Sequence, residues 1–336
     1  MIQITADFTA DFTQETASQV RRAAFDYAQQ MLRLGAFTEA RKLCLELVEK
    51  SIADSDFQNL FASQRLLAML NSNASVMEPQ SANACISDVI VSDAELSSSA
   101  LQQRNLLEAT RLRQMGKTSE AAKKMRSVCL DLGDWRGVDE SVSSAFVELA
   151  TVAREVMLET PRGHETTYNE YERLYRWALK NAKRVAQQFE QEKPHTYREE
   201  AWETALFGGG GHVAGLTLRS LMSSLLRARA LGFVTEEIAT FAAWDSMCHK
   251  YELAVLEMPK LERARYDELA ARAQTSPQLQ SNADKATTSP TLGIVTGDDE
   301  LESSFEDVLS ELSSALNLSF QTEVEVADRE VAPQAN

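Results

Sequence analysis

Residues that break helices are scarce in this chain: 13 glycines and 7 prolines stand in 336 positions, too few for the turns of a β-sandwich or a doubly wound sheet. Cysteine is scarce too. Cys44, Cys85, Cys129 and Cys248 lie far apart with no C-x-x-C pairing, and three of them sit in amphipathic helical patterns. That describes buried reduced thiols rather than a disulfide framework. No apolar run reaches the roughly 18 residues of a membrane span, and the opening MIQITADFTADFTQE lacks the basic start and apolar stretch of a secretory signal. The expectation is a soluble, cytoplasmic protein, with export independent of a signal left open. His164, His195, His212 and His249 are scattered singly, without H-E-x-x-H or zinc spacing, so no metal site is expected. There is no G-x-S-x-G, no kinase set and no recognisable Ser/His/Asp or Cys/His series. Catalytic residues and cofactors are accordingly expected to be none.

Positive charge is also in deficit. The net charge is −16, with 34 Lys and Arg against 50 Asp and Glu. Residues 274–336 hold 12 of the acids and 2 of the bases, a balance of −10, which leaves −6 for everything before. A nearly balanced body carries a strongly acidic tail, and nucleic-acid binding over the whole surface is disfavoured, because phosphate contacts need clustered Lys and Arg.

What the chain has is helix. Ala, Leu, Glu, Gln and Arg dominate, and apolar residues three and four apart run through most of residues 14–273. The period predicts helices over 14–33, 38–53 and 57–70, a polar loop over 71–84, a long helix from an N-cap at Ser92 or Asp93 to Met115, and a partner over 118–132. One helix is expected over 138–159 and a very long one over 165–192, ended by Pro194. Others follow at about 195–207, 212–231 and 235–257, then one starting at Pro259. From 274 the Ser, Thr, Pro and Asn content is that of a linker.

Gly116-Lys117-Thr118 has the ending of a phosphate-binding P-loop. The position that should be the first glycine of that loop is Arg111, and a helical pattern precedes it where a strand is required. A better account aligns Gly116 with Gly35, which places Ala28 on Ala109, Met31 on Leu112, Ala40 on Ala121, Cys44 on Met125 and Leu47 on Val128. Both stretches read helix, glycine turn, helix, with small residues where two antiparallel helices approach closely.

This layout resembles the tetratricopeptide repeat. Phe37 fills the aromatic position of the first copy and Thr118 stands there in the second; no proline closes either copy, and the two glycines lie 81 residues apart rather than one repeat period. The resemblance implies that the inner helix of each pair lines a concave surface for peptides or partner helices. Carried across by offset, the groove positions are Arg22, Phe25, Gln29, Leu32 and Arg33, then Gln103, Leu106, Thr110, Arg113 and Gln114.

Three further stretches bear on function. At 207–222 a run of four glycines precedes a helix, and Gly209, Gly211 and Ala214 come close to a dinucleotide fingerprint. That motif has meaning only after a strand, so a hinge is the plainer reading and an anion site the sharper one. Arg173, Arg176, Lys180, Lys183 and Arg184 share one arc of the long helix, about 100° wide, which describes either a solvated face or a stripe for RNA, an anion or an acidic segment. Near the end, Leu301, Phe305, Val308, Leu309, Leu312 and Leu316 fall within about 120° of a helical projection, with Glu302, Glu306, Asp307 and Glu311 on the remainder. This reads as a segment that folds on docking or as a last helix of the body.

The sequence therefore describes an all-α protein of stacked antiparallel helical hairpins, a tetratricopeptide-like α-solenoid. The expected divisions are a first domain over 1–160, a second lobe over 161–273, a linker over 274–300, an acidic amphipathic helix over 301–319 and a tail over 320–336. The expected role is non-enzymatic: an adaptor, chaperone-like or regulatory protein holding a segment of another protein in a helical groove, with the tail helix able to dock on its own body. The alternatives are RNA or anion binding through the stripe from Arg173 to Arg184, an enzyme using the glycine loop, and a structural component of a larger assembly.

Overall fold

The structure, a computed structural model, describes residues 14–73, 92–133, 135–161, 163–209, 212–251 and 258–275. Among the described residues eleven α-helices order as α1 (Gln14–Arg33), α2 (Phe37–Ala53), α3 (Phe57–Asn73), α4 (Ser98–Gln114), α5 (Thr118–Asp131), α6 (Ala145–Glu159), α7 (Glu165–Gln188), α8 (Lys193–Phe207), α9 (Val213–Ala230), α10 (Val234–Tyr251) and α11 (Lys260–Thr275). No strand occurs among the described residues. Each helix packs on the next in chain order wherever the chain between them is described, so the body is a stack of antiparallel hairpins.

Three hairpin turns share one geometry. At α1–α2 the N–H of Ala36 reaches the Met31 carbonyl at 2.9 Å and that of Gly35 reaches Leu32 at 3.0 Å. At α4–α5 the N–H groups of Lys117 and Gly116 reach Leu112 and Arg113 at 2.9 and 3.0 Å, and at α9–α10 those of Phe233 and Gly232 reach Ala228 and Arg229 at 2.8 and 3.0 Å. This is the Schellman cap, which needs a left-handed residue just past the helix. Gly35 and Gly116 supply it with φ of 81° and 73°. Ala28, Ala40, Ala109 and Ala121 are fully buried where the paired helices cross. The same bonds dispose of the P-loop resemblance, because the Gly116 and Lys117 amides that would cradle phosphate already cap α4.

Several expected boundaries shift. The cap of α4 is Ser97, whose Oγ accepts the Ala100 N–H at 3.2 Å; Asp93–Glu95 is a separate 3-10 turn, parted from the helix by the extended Leu96. The helix expected from 138 begins at Ala145, since Asp139 caps a 3-10 turn at Glu140–Val142. The very long helix stops at Gln188, where Phe189 turns extended. Pro194 lies in the first turn of α8, a position that uses no N–H, and so begins a helix there.

The centre of the fold is α6, with 11 of its 15 residues buried. One apolar core joins α4, α5, α6 and α7, from Leu106 to Val185, and so runs across residue 160. A second core joins α8 to α11, and a third α1 to α3. The ends of the stack meet. Val234 packs against Gly35 and Leu34 against Gly232, each at 3.4 Å from where a Cβ would stand. Thr235 Oγ1 donates to the Arg33 carbonyl at 3.3 Å, so the first hairpin closes onto α10.

Candidate functional site

The groove positions inferred from the repeat offset do not form a groove. Phe25 and Leu32 belong to the core of α1–α3 and Leu106 to the central core, while buried Gln103 donates its side-chain amide to Ser141 Oγ at 3.2 Å. The polar members are engaged as well. Arg33 pairs with Glu192 at 2.9 Å, Arg113 with Glu155, Arg22 with Asp139 at 3.8 Å, and Gln114 Nε2 donates to the Ala68 carbonyl at 2.6 Å. Thr110 Oγ1 bonds its own helix at Leu106, and Gln29 is half-buried. The reason lies in two places: α3 packs on both α1 and α4, so the two glycine hairpins are not adjacent repeats, and the face of α1 is buried in the core of α1–α3 while that of α4 is buried against α5, α6 and α7.

An open cleft exists elsewhere, between α5 and α7, with a volume of about 620 Å³. Leu130, Leu174 and Trp177 give it an apolar lining, and Arg126 and Arg173 stand at its sides with Thr166, Asn169 and Glu170. Trp177 rests edge-on against Phe146 of α6, ring centroids 5.7 Å apart, so buried α6 holds up the floor. Leu130 is 57% exposed where it borders this depression. Arg126 and Glu170 are 3.9 Å apart and both well exposed, a pair of little energetic weight.

The basic stripe divides in two. Arg176 donates to Glu172 at 3.0 Å and lies over the Phe207 ring at 4.3 Å, and Lys183 pairs with Glu203 at 3.0 Å and Glu200 at 3.5 Å. Arg173, Lys180 and Arg184 carry no ion pair among the described residues, and the helical period puts them on one line continuing out of the cleft, within about 40°. The glycine run offers less. It follows helix α8, and the Gly208 N–H is taken by the Thr204 carbonyl at 2.8 Å; Gly210 and Gly211 lie outside the described residues. So do Leu301, Phe305, Val308, Leu309, Leu312 and Leu316 of the acidic segment, together with the expected linker and tail.

A buried polar layer between α6, α8 and α10 had no counterpart in the sequence reading. Glu199, fully buried, takes a bidentate pair from Arg154 at 2.9 and 3.0 Å and the Thr151 hydroxyl at 2.9 Å. His195 Nε2 stands 2.9 Å from that hydroxyl. The hydroxyl has one proton and two acceptors in reach, Glu199 and the Val147 carbonyl at 3.0 Å, neither of which can donate, so His195 Nε2–H is the group that donates to the Thr151 oxygen. Tyr175 OH donates to the Glu199 carbonyl at 2.7 Å, and Arg154 stacks over Trp202 at 4.4 Å. Beside these, Arg198 pairs with Glu236 at 2.6 Å, and Glu192 receives Arg33 and the Ser143 hydroxyl, each at 2.9 Å.

Burial, with Arg198 nearby, pushes the His195 imidazole down to about 4, so the ring is neutral at ordinary pH. Although burial works the other way, the Arg198 guanidinium and the neighbouring His195 hold the Glu236 carboxyl down at about 2. Burial raises Glu192 despite Arg33. The layer is not a nucleophile–base–acid relay: Glu199 binds the hydroxyl rather than the imidazole, and Arg154 holds both its oxygens. Its chemistry is that of a buried hydrogen-bonded network that sets helix register. Single polar residues at helical spacing look the same on a surface as in such a layer, which is why periodicity did not find it.

Among the described residues no group of three or more His, Cys, Asp or Glu is placed to hold a metal ion, and no helix is long and apolar enough to cross a membrane. Set against known protein families, curated proteins and solved structures, the chain matches none.

Proposed function

We propose that this is a non-enzymatic interaction protein, built from degenerate tetratricopeptide-like hairpins, that docks an acidic amphipathic helix of a partner protein in the cleft between α5 and α7. The observation that carries the reading is the pairing of an apolar floor, Leu130, Leu174 and Trp177, with Arg126 and Arg173 beside it. Helix-in-groove recognition works through two or three apolar anchors at i, i+3 or i+4, and i+7, while charges around the groove set register and suppress wrong partners. The unpaired Lys180 and Arg184 extend the positive border along α7 and select an occupant with carboxylates on its outer face.

The test is titration of the full chain with a synthetic amphipathic helix carrying leucines at i, i+4 and i+7 and glutamates on the other face. Binding should be saturable, and Arg173→Glu or Leu130→Glu should weaken it about tenfold or more, the scale of a lost anchor or of a like charge facing the ligand. A lysine-faced peptide of the same apolar pattern should not bind. If neither peptide binds while single-stranded RNA does, with a steep salt dependence lost in Lys180→Glu, the protein-docking reading falls and the stripe is a nucleic-acid site.

A further inference from the structure

We infer that residues 301–319 of this same chain are the resident occupant of the α5–α7 cleft, so that a partner binds by displacing them. The inference rests on the reading of the cleft as a docking groove and adds who occupies it first. The occupant fits by chemistry. Leu301, Phe305, Val308, Leu309, Leu312 and Leu316 supply an apolar edge for the Leu130, Leu174 and Trp177 floor.

The charges match in kind and in length. Along α7, Arg173 to Arg184 covers eleven residues, about 16 Å at the helical rise, and Glu302 to Glu311 covers nine, about 13 Å. Bulk attraction is excluded as the cause, because tail and body are both net negative. The complementarity is local to Arg173, Lys180 and Arg184, the stripe cations with no ion pair among the described residues.

The chain is also long enough. Twenty-five residues, 276–300, part the end of α11 from the segment. Fully extended they reach about 80–90 Å, and as a Ser/Thr/Gly-containing coil they span on the order of 28 Å root-mean-square. A compact body of this size has a radius of gyration of about 18 Å, so every face lies within reach. Tethering at that length sets an effective concentration in the millimolar range. A segment whose free affinity is only ~0.1 mM is then about nine-tenths docked. A helix of under twenty residues is marginal alone in water, so its folding and its docking are one event.

The experiment is amide hydrogen exchange on the full chain. In the wild type, residues 301–319 should exchange at least about tenfold more slowly than 320–336. That protection should vanish in the triple variant Phe305→Ala, Leu309→Ala, Leu312→Ala and in the surface variant Arg173→Glu, Lys180→Glu. It should return when the surface variant is combined with Glu306→Lys and Glu311→Lys. A free peptide of residues 301–319 should bind the triple variant at least tenfold more tightly than the wild type, whose cleft is filled. Unprotected 301–319 in the wild type, or protection that survives the surface variant, overturns the inference. If the leucine–glutamate helix binds wild type and triple variant equally and Arg173→Glu abolishes it, self-occupancy falls and the docking cleft stands. If neither peptide binds the triple variant, both fall.

Discussion

Ser55 occupies the position that glycine holds in the other hairpins. At the α2–α3 turn the Asp56 N–H reaches Ser51 and the Ser55 N–H reaches Ile52, the same Schellman pair, and Ser55 sits at φ 54°. A side chain in the left-handed region costs roughly 1–2 kcal/mol, partly offset because glycine loses more freedom on folding. Ser55→Gly should therefore stabilise the protein by about 0.5–1 kcal/mol in urea unfolding, with an unchanged slope. Gly116 provides the control: nothing lies within 4 Å of where its Cβ would be, so Gly116→Ala should destabilise by backbone strain alone, about 1 kcal/mol. The glycine turns were readable because glycine announces a left-handed residue; the turn at Ser55 was not, because serine does not.

Between elements, the decisive contact is that of α6 with α8. Arg154 and Glu199 look, one helix at a time, like ordinary surface charges, and only the packing of α6 at the centre makes them interior. Replacing Arg154 by Met strands a fully buried carboxylate and should cost about 3–5 kcal/mol. Adding Glu199→Met should recover much of that loss, since removing both charges leaves no buried ion without a partner. A double-mutant cycle in urea measures the coupling; simple additivity of the two losses would show that the pair does not act as a unit. The groove positions failed for the complementary reason. Leu106 and Phe25 are apolar at the right spacing, but periodicity tells which face is apolar and not which helix covers it. Phe25 is covered by α3, which lies outside the repeat pattern that suggested the groove, and Leu106 by the central core of α5, α6 and α7.

The whole molecule is closed through its polar layer, where groups from separate parts of the chain meet His195: Thr151 and Glu148 on α6, Arg198 and Glu199 on α8, Glu236 on α10. Its folded value near 4 lies below the ordinary 6.5. Between those values the unfolded chain binds a proton that the fold refuses, so the contribution is complete above about pH 6.5 and is lost as pH falls toward 4, by on the order of 2–3 kcal/mol. His195→Gln should flatten that part of the stability–pH curve; below it, Glu236 protonates between about 4.5 and 2, and the variant should begin that loss at a higher pH because the imidazolium no longer helps to hold the carboxyl down. Glu192, raised, works in the opposite sense in both proteins and cancels in the comparison. Equal slopes for wild type and variant between pH 7 and 4.5 would show that His195 is not the group titrating. The sequence by itself determined the helical class, the hairpin turns at Gly35 and Gly116 and the small residues that let their helices close, because period, left-handed turns and tight approach are local demands. Only the tertiary structure decided which faces stay open: α3 seals one surface, α6 props up the floor of the α5–α7 cleft, and Glu172, Glu200 and Glu203 neutralise two of the five stripe cations. Apart from the i, i+4 pair of Glu172 with Arg176, those outcomes depend on neighbours distant in the chain, and no local pattern encodes them.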